Sequence, residues 1–381
     1  MGDKTGIEWT RGEDGTPGAT WNPTTGCDRV SPGCDNCYAM TLAPRLQAME
    51  IGRGTRNPKY SKDGNPATSG VGFGVSEHGF ALDQPLRWTR PRKIFVNSMS
   101  DLFHAEISDE FIARVFAVMA AAPRHTFQVL TKRHARMRAL LNDRLWWQHT
   151  FPAACRERGV DHTAVGSWAD GKATLPNVWM GISVETQQWA DIRIPALLDT
   201  PAVVRWVSAE PLLGPVDLTR IRPARAGDPN RTDALRPVLD ADTGAVLMPG
   251  LDWVVVGGES GAKARPMHPQ WARDLRDKCD AARVPYLFKQ WGEWAPGSAP
   301  PGPGLRECMV AADDGTVFEP PHTLWESTSG GDRDRVNRKG WTAMHRTGKH
   351  AAGRVLDGTP LDGYPVGCGT GGHKEQVLPA G

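Results

Sequence analysis

The sequence predicts an α/β protein whose parallel strands form a partial or complete (β/α) barrel. Between residues 93 and 290, short apolar runs alternate with segments of helical composition. This rhythm is typical of a parallel sheet covered by helices, because strands buried on both faces are apolar throughout. Six of the runs end in polar residues that are able to bind or react. Since barrel active sites lie at the carboxyl ends of the strands, we expect one shared site at that face.

The individual elements follow this rhythm. Strands are predicted at 93–98, 126–132, 177–185, 202–208, 251–258 and 284–290. Helices are predicted at 38–50, from Asp109 onward, and at 133–141, 187–198 and 271–282. Asp109 and Glu110 suit the positive end of a helix whose apolar face runs from Phe111 to Met119. Residues 51–80 are expected to be a long irregular segment, and residues 143–176 an insertion.

The predicted barrel spans residues 1–294 and carries two additions. One is a cysteine-bearing loop at 24–38, which follows a short extended piece. The other is an insertion at 217–250, which interrupts the alternation of strands and helices. Inside it, apolar runs at 236–239 and 245–248 flank a polar turn, and this pattern predicts a hairpin.

The C-terminal extension, residues 295–381, is expected to pack on the barrel. It begins with a segment rich in Pro and Gly at 295–305, which is typical of a linker or loop. Short strand candidates follow at 308–310 and 316–318. The Gly-rich tail at 366–381 is expected to be loose.

Composition excludes several classes of protein. Lys and Arg number 45 against 43 Asp and Glu, so bulk charge argues neither for nor against binding to nucleic acid. Seven cysteines in 381 residues do not form a disulfide scaffold. No apolar run approaches the roughly 20 residues of a membrane span, and the N-terminus lacks a signal-peptide pattern. We therefore expect a cytoplasmic protein that has no membrane partner.

Three of the cysteines cluster, which indicates a metal site. Cys27, Cys34 and Cys37 are spaced C-x6-C-x2-C, whereas the other four are scattered singly. An odd number makes a closed set of disulfides unsuitable. An iron–sulfur cluster held by these three thiolates would leave one iron open to a small molecule. Two alternatives stay open at this point: zinc with a distant fourth ligand, and a purely structural role.

The cysteines resemble the cluster loop of radical S-adenosylmethionine (SAM) enzymes, which ends in C-x2-C followed by an aromatic residue, here Tyr38. The first gap, six residues here, is three in the usual motif. The stretches Val96–His104, Val129–Lys132 and Gly181–Glu185 resemble motifs of the spore photoproduct lyase branch. The resemblance implies a parallel barrel of radical SAM type that binds a 4Fe-4S cluster and S-adenosyl-L-methionine.

The chain as a whole resembles an uncharacterised, phage-borne three-Cys-motif family, a domain of unknown function. The similarity covers most of residues 1–294 and a patch near the end. Its blocks are Thr24–Tyr38, Phe95–His104, Glu210–Leu218, Val256–Pro269, Phe288–Trp294 and Gly353–Pro365. Because that family has no settled activity, the resemblance implies a class of protein and no particular substrate.

The radical SAM resemblance assigns roles to the strand-end residues. Cys27, Cys34 and Cys37 would hold the cluster, and the polar groups of SAM need protein partners. The SAM amino group would be bound by Ser98, Ser100 and Asp101, its carboxylate by Lys132 or Ser183, its ribose by Glu185, and its adenine beside Tyr38 and the strand at 254–258. The sequence Gly257-Gly258-Glu259 would lie on the ribose or substrate side. The candidate substrate contacts are Glu210, Arg265 and Lys289.

By the same resemblance, the expected function is a radical enzyme acting on a nucleobase or nucleic acid, in repair or in phage DNA modification. It would need a reductant protein, and no catalytic residue is assigned. Phosphates would be bound by the basic residues Lys132, Arg133, Arg136, Arg205 and Arg265. Two alternatives remain: a zinc- or cluster-bearing nucleic-acid-binding module without catalysis, and a component that depends on a partner protein encoded nearby.

Overall fold

The computed structural model describes residues 4–12, 15–162, 173–222, 231–297, 307–318 and 340–365. In chain order, the strands are β1 (Ala19–Trp21), β2 (Thr24–Thr25), β3 (Ser76–Glu77), β4 (Lys93–Val96), β5 (Thr126–Thr131), β6 (Val178–Ser183), β7 (Val204–Ala209), β8 (Val238–Leu239), β9 (Val246–Met248), β10 (Trp253–Gly257), β11 (Tyr286–Gln290), β12 (Trp294–Pro296), β13 (Glu307–Ala311), β14 (Val317–Phe318) and β15 (Trp341–Arg346). The helices are α1 (Tyr38–Gly52), α2 (Asp109–Ala121), α3 (His134–Leu141), α4 (Phe151–Arg156), α5 (Gln187–Leu198), α6 (Pro269–Ala282) and α7 (Lys349–Ala352).

The main sheet has seven strands in the order β1-β4-β5-β6-β7-β10-β11, and every neighbouring pair is parallel. The sheet order follows the chain order, and the sheet curls into half a barrel. The prediction of a mixed α/β protein with a parallel, partly closed barrel is therefore confirmed at this level. β1 and β11 are the edges of the sheet.

The outer face of the sheet is covered by helices and forms the main core. Alternate strand residues such as Ile94, Phe127 and Val254 are fully buried there. Helix α2 begins at the N-cap Ser108, whose side chain accepts a hydrogen bond from the Phe111 backbone N–H at 3.2 Å. Its predicted apolar face is buried in this core. Burial of the strands on both faces explains why their sequences are continuous apolar runs.

The inner face is filled by aromatic rings in the amino-terminal half of the strands. Trp179, Trp206 and Trp253 pack there against Trp9 and Phe95. Trp206 lies directly over β6, where a Cβ on Gly181 would come within 2.3 Å of the indole ring. Ordinary packing therefore uses several of the fifteen tryptophans, and the open part of the half-barrel lies toward the carboxyl ends of the strands.

The C-terminal region covers the β11 edge. The Phe288 N–H donates to the Leu361 carbonyl, and the Gly363 N–H donates to the Tyr286 carbonyl, both at 2.9 Å. The Tyr364 hydroxyl reaches the Glu8 carbonyl at 3.0 Å, close to the N-terminus. A second, antiparallel sheet in the order β12-β15-β13-β14 packs into the same core.

The insertions and the C-terminal region can be compared with the sequence predictions. The predicted hairpin is confirmed as β8 paired antiparallel with β9. The predicted insertion at 143–176 contains a π-helix, Trp146–Thr150, which continues into α4. β12 begins next to the predicted linker and includes its first two residues. The tail at 366–381 lies outside the described residues. No helix within the described ranges is long and apolar enough to cross a membrane.

Candidate cysteine site at the strand ends

The cysteine loop, residues 24–38, extends from the carboxyl end of β1 over the neighbouring strand ends. Its start continues the sheet, because Gly26 forms a parallel bridge with Ser100 and its N–H donates to the Met99 carbonyl at 3.0 Å. Gly26 has a φ of +84°, and a Cβ there would lie 2.3 Å from the Gly74 carbonyl oxygen. Glycine is therefore required at the point where the loop leaves the sheet.

The three thiols lie in one partly buried environment. Cys34 is buried, Cys27 and Cys37 are partly buried, and none is in a disulfide. Burial, the largest cause, raises the pKa of Cys27 to about 12, and charges on Asp101 and Cys34 add to the effect. Burial also raises the pKa of Cys37, with a further contribution from Cys34. Thiols in such surroundings ionise readily only beside a strong positive partner such as a metal.

Two cations approach the sulfurs from the end of β5. The Arg133 guanidinium lies 4.0 Å from the Cys27 Sγ and donates to the Asp28 carbonyl at 3.1 Å. The positive charge on Lys132 lowers the pKa of Cys37, against the larger effect of burial. The predicted phosphate contacts Lys132 and Arg133 therefore lie at the cysteine site.

A buried carboxylate holds one side of the loop. Glu185, which follows β6 and is fully buried, accepts a hydrogen bond from the Ser31 Oγ at 2.9 Å. It also pairs with Arg193 at 3.0 Å and with the Lys132 Nζ at 3.5 Å. Gly33 packs directly on this carboxylate, because a Cβ there would lie 2.4 Å from the Glu185 Oε1. Glu185, which was expected to bind the ribose of SAM, therefore anchors the cysteine loop.

A second carboxylate holds the other side of the loop. Glu259, which follows β10, accepts hydrogen bonds from Asn36 at 2.9 Å and from Arg265 through both its backbone and its side chain. The Arg265 guanidinium also donates to the Pro32 carbonyl at 2.7 Å and pairs with Asp35 at 3.3 Å. Glu259 and Arg265, expected at cofactor and substrate, are therefore both engaged with the loop.

Ser98, Ser100 and Asp101, predicted to bind the amino group of SAM, all form hydrogen bonds within the protein. Asp101 accepts from the Thr131 Oγ1 at 2.6 Å and from the backbone N–H groups of Lys132 and Phe103. It therefore ties the end of β4 to the end of β5. The hydroxyls of Ser98 and Ser100 bond to Asn22 and Thr24 respectively, and the Tyr38 hydroxyl donates to the Ser98 carbonyl.

Asn97 is one of the polar residues that follow a predicted strand, and the radical SAM resemblance assigns it no contact. It follows β4, is buried, and has the left-handed φ of +63°. Neither its Oδ1 nor its Nδ2 has a hydrogen-bond partner among the described residues. Its polarity at the end of an apolar run was the available signal. A buried amide without a partner is costly unless a ligand or water satisfies it.

A further group of polar residues lies on the β7, β10 and β11 side. The Lys289 Nζ donates to the Glu210 Oε1 at 2.5 Å, and Gly257 lies against the same carboxylate. A Cβ on Gly258 would lie 1.9 Å from the Trp291 carbonyl oxygen, so this pair of glycines permits a tight turn at the end of β10. Ser183 is buried, and its carbonyl accepts a hydrogen bond from Arg193 at 2.7 Å.

Two predicted phosphate contacts are engaged elsewhere. Arg136 donates to the Ile107 carbonyl and pairs with Asp109, both at 2.6 Å. Arg205 is the second residue of β7 and donates to the Thr200 carbonyl at 3.0 Å, so it lies away from the carboxyl ends of the strands.

A family model for proteins of unknown function (DUF5131) matches residues 4–365. The chain belongs to the DUF5131 family. No curated protein and no solved structure matches the chain. The match spans the main sheet and the C-terminal antiparallel sheet, so the cysteine site and the C-terminal region belong to one family unit.

One group of side chains in this DUF5131 protein has the spacing of a single-ion site. Ligand atoms of Asp28, His104 and Glu106 lie within 4.8 Å of one another, and no other such group of His, Cys, Asp and Glu occurs within the described ranges. The His104 Nδ1 accepts from the Glu106 backbone N–H at 3.2 Å, and its Nε2 lies 3.1 Å from the Asp28 carboxylate. The Glu106 carboxylate pairs with the Lys62 Nζ at 3.2 Å. The three cysteine sulfurs are spread more widely than this.

Proposed function

We propose that this protein is a 4Fe-4S- and S-adenosyl-L-methionine-dependent radical enzyme acting on a nucleobase or nucleic acid. The observation that carries the proposal is a loop with three unpaired thiols, clamped over the carboxyl ends of a parallel half-barrel. The other described cysteines, Cys155, Cys279 and Cys308, are buried in the core. Three thiolates would leave one iron of such a cluster open to a small molecule.

The three sulfurs of the loop are not gathered closely enough for a single zinc ion. Thiolates on one zinc bind at about 2.3 Å, which places the sulfurs roughly 3.8 Å apart in a tetrahedron. The sulfurs of Cys27, Cys34 and Cys37 do not all lie within 4.8 Å of one another. In a 4Fe-4S cluster, each cysteine binds a different iron, so a wider spread is required.

The surrounding charges also suit such a cluster. Lys132, Arg133 and Arg193 lie beside the loop, against the carboxylates of Asp101 and Glu185. A cluster ligated by three thiolates carries net negative charge, which the cations of Lys132 and Arg133 would help to compensate in a partly buried site.

The residues then divide into ligands, cofactor contacts and positioning residues. Cys27, Cys34 and Cys37 would hold the cluster, which when bound supplies the electron that cleaves a carbon–sulfur bond of SAM. Asn97, with both amide atoms free among the described residues, is suited to bind the amino acid part of SAM. Lys132 retains donors for its carboxylate.

Asp101, Glu185 and Glu259 act instead by positioning the loop and the strand ends, since their oxygens are occupied by protein donors. By resemblance, the reaction would serve repair or phage DNA modification. A reductant protein would supply the electron.

The test is anaerobic purification followed by metal and product analysis. We expect a brown protein with about four iron atoms per chain, which releases 5′-deoxyadenosine when given dithionite and SAM. Cys34→Ala should lose the iron, whereas Cys155→Ala, which removes a buried thiol outside the loop, should retain it. A colourless protein with one zinc per chain would contradict the proposal and favour a zinc-bearing nucleic-acid-binding module.

A further inference from the structure

We propose that Glu210, Lys289 and Gln290 form a subsite that recognises the Watson–Crick edge of a guanine-type base. This inference rests on the proposed function for its role in a reaction, but it concerns binding and can be tested separately.

An irregularity in the sheet aims two consecutive residues at one carboxylate. In the β10–β11 pairing, Val256 lies opposite Phe288 and Gly257 lies opposite Gln290, so Lys289 is an extra residue in β11. In a regular strand, successive side chains point to opposite faces. Here the Lys289 Nζ and the Gln290 Nε2 both donate to the Glu210 Oε1, at 2.5 and 3.4 Å. Bulges of this kind often redirect side chains beside active sites.

The local backbone makes room for this arrangement. A Cβ on Gly257 would lie 3.3 Å from the Glu210 carboxylate, closer than most side chains tolerate. The Leu212 N–H donates to the Gly257 carbonyl at 3.0 Å and so fixes the end of β7 against the end of β10. Ser260 accepts a second hydrogen bond from the Gln290 Nε2 at 3.2 Å, which sets the orientation of that amide.

Three groups of this subsite retain unused hydrogen-bonding capacity. The Gln290 Oε1 is buried, in a residue only 5% exposed, and has no partner among the described residues. The Glu210 Oε2 also has no partner in the described part of the chain, and the Lys289 ammonium has further N–H donors. The side chains of Glu210 and Lys289 are 18% and 14% exposed, so a ligand can reach them from the open end of the half-barrel.

The chemistry of these atoms selects the ligand. The Glu210–Lys289 pair is neutral overall, so it offers no net attraction to a phosphate. The Glu210 Oε2 and the Gln290 Oε1 only accept hydrogen bonds, and the Lys289 ammonium only donates them. Two acceptors and a donor complement an edge of two donors and an acceptor, which guanine presents through its N1–H, 2-amino and O6 groups. Adenine, cytosine and thymine lack that sequence of groups.

An aromatic ring lies at the same opening. Tyr38 is 56% exposed, although its hydroxyl is bound to the Ser98 carbonyl. That contact lies just after β4, so the ring belongs to the same carboxyl-end face of the sheet as the subsite at the ends of β7 and β11. An exposed ring at this face is suited to stack on a base.

The experiment measures nucleoside binding by calorimetry on the full-length protein. We expect guanosine to bind most tightly, and inosine, which lacks the 2-amino group, to bind about tenfold more weakly because one buried acceptor is left unpaired. Adenosine and thymidine should bind more weakly still. Glu210→Gln should weaken guanosine binding by about 10- to 100-fold, since a hydrogen bond to a charged group is lost. Glu157→Gln, at an exposed ion pair with Arg114, is the matched control.

Equal affinity for the four nucleosides, or no binding of any, overturns the inference, as does a Glu210→Gln variant that binds guanosine like the wild type. If that variant does not fold, the affinity of the wild-type protein for guanosine relative to inosine still tests whether the subsite recognises the 2-amino group. Each measurement is made on metal-free and on iron-reconstituted protein. A preference for guanosine in a protein that forms no cluster would retain the subsite and contradict the radical-enzyme proposal. A protein that forms the cluster but shows no preference for guanosine would retain the radical-enzyme proposal and contradict the subsite.

Discussion

Replacing Glu185 by Gln should destabilise the fold and loosen the cysteine loop together. Glu185 and Arg193 are both fully buried and lie 3.0 Å apart. The Arg193 Nε and Nη2 have no partner among the described residues, so Glu185 supplies most of the compensation for the buried cation. Removing one partner of such a pair typically costs about 3–5 kcal/mol. Because Gln keeps the shape and an acceptor for Ser31, we expect the lower end, about 3 kcal/mol.

The assay is urea unfolding followed by tryptophan fluorescence, together with metal analysis of each variant. The double variant Glu185→Leu, Arg193→Met should recover most of the stability, since replacing both members of a buried pair by apolar residues is often neutral. It should not recover metal, because the Ser31 Oγ then loses its acceptor. Stability and metal retention should therefore separate in this variant.

A surface pair gives the control for this experiment. Arg138 and Asp199 lie 2.7 Å apart but are 50% and 53% exposed, so Asp199→Asn should cost less than about 1 kcal/mol. A Glu185→Gln variant within 1 kcal/mol of the wild type, or a double variant that keeps wild-type metal content, would refute the reasoning that this carboxylate both compensates Arg193 and anchors the loop.

Three further predictions concern the loop and the C-terminal region. Gly33→Ala should cost about 1–3 kcal/mol in urea unfolding and lower the metal content, because its Cβ would meet Glu185 at 2.4 Å. Gly52→Ala is the control and should not destabilise the protein, because the space around Gly52 is open. Equal effects of the two substitutions would contradict this prediction. In metal-free protein, Cys27 should react with iodoacetamide about a thousandfold more slowly than free cysteine at pH 8 by peptide mass spectrometry, since its pKa is raised to about 12. Asp357, bound by two arginines, has a pKa lowered to about 2, so its contribution is present above its unfolded pKa of about 3.9 and is lost as pH falls toward 2. Because it is more than a third exposed, Asp357→Asn should cost less than about 1 kcal/mol at pH 7, and nothing once the pH is well below the folded-state pKa, in acid unfolding experiments.

The main sheet could be predicted because its strands are buried on both faces and are therefore continuous apolar runs. β15, Trp341–Arg346, is neither a continuous apolar run nor a strict alternation, and its pairing with β12 and β13 is what stabilises it as a strand. α4 escaped prediction because it is short, and because Pro152 suggests a break where it in fact lies in the first turn of the helix.

The position of the cysteine loop near the strand ends could be predicted from the sequence, but the hydrogen-bond partners of its residues could not. Ser31 and Glu185 are separated by 154 residues, and Asn36 and Glu259 by 223. Only the assembled sheet shows that these carboxylates meet the cysteine loop. The position of Lys289 depends on a register shift between two strands, which no local pattern in either strand encodes.

The strand-end carboxylates differ in how fully the protein satisfies them, and this difference separates anchors from ligand contacts. Asp101, Glu185 and Glu259 each accept hydrogen bonds or ion pairs from at least three donors. Glu210 receives its protein donors on one oxygen and leaves the other open. A carboxylate whose acceptor sites are mostly filled by protein donors is suited to position its neighbours. Under the proposed function, these acids hold the cysteine loop, and Glu210 keeps acceptor capacity for the substrate.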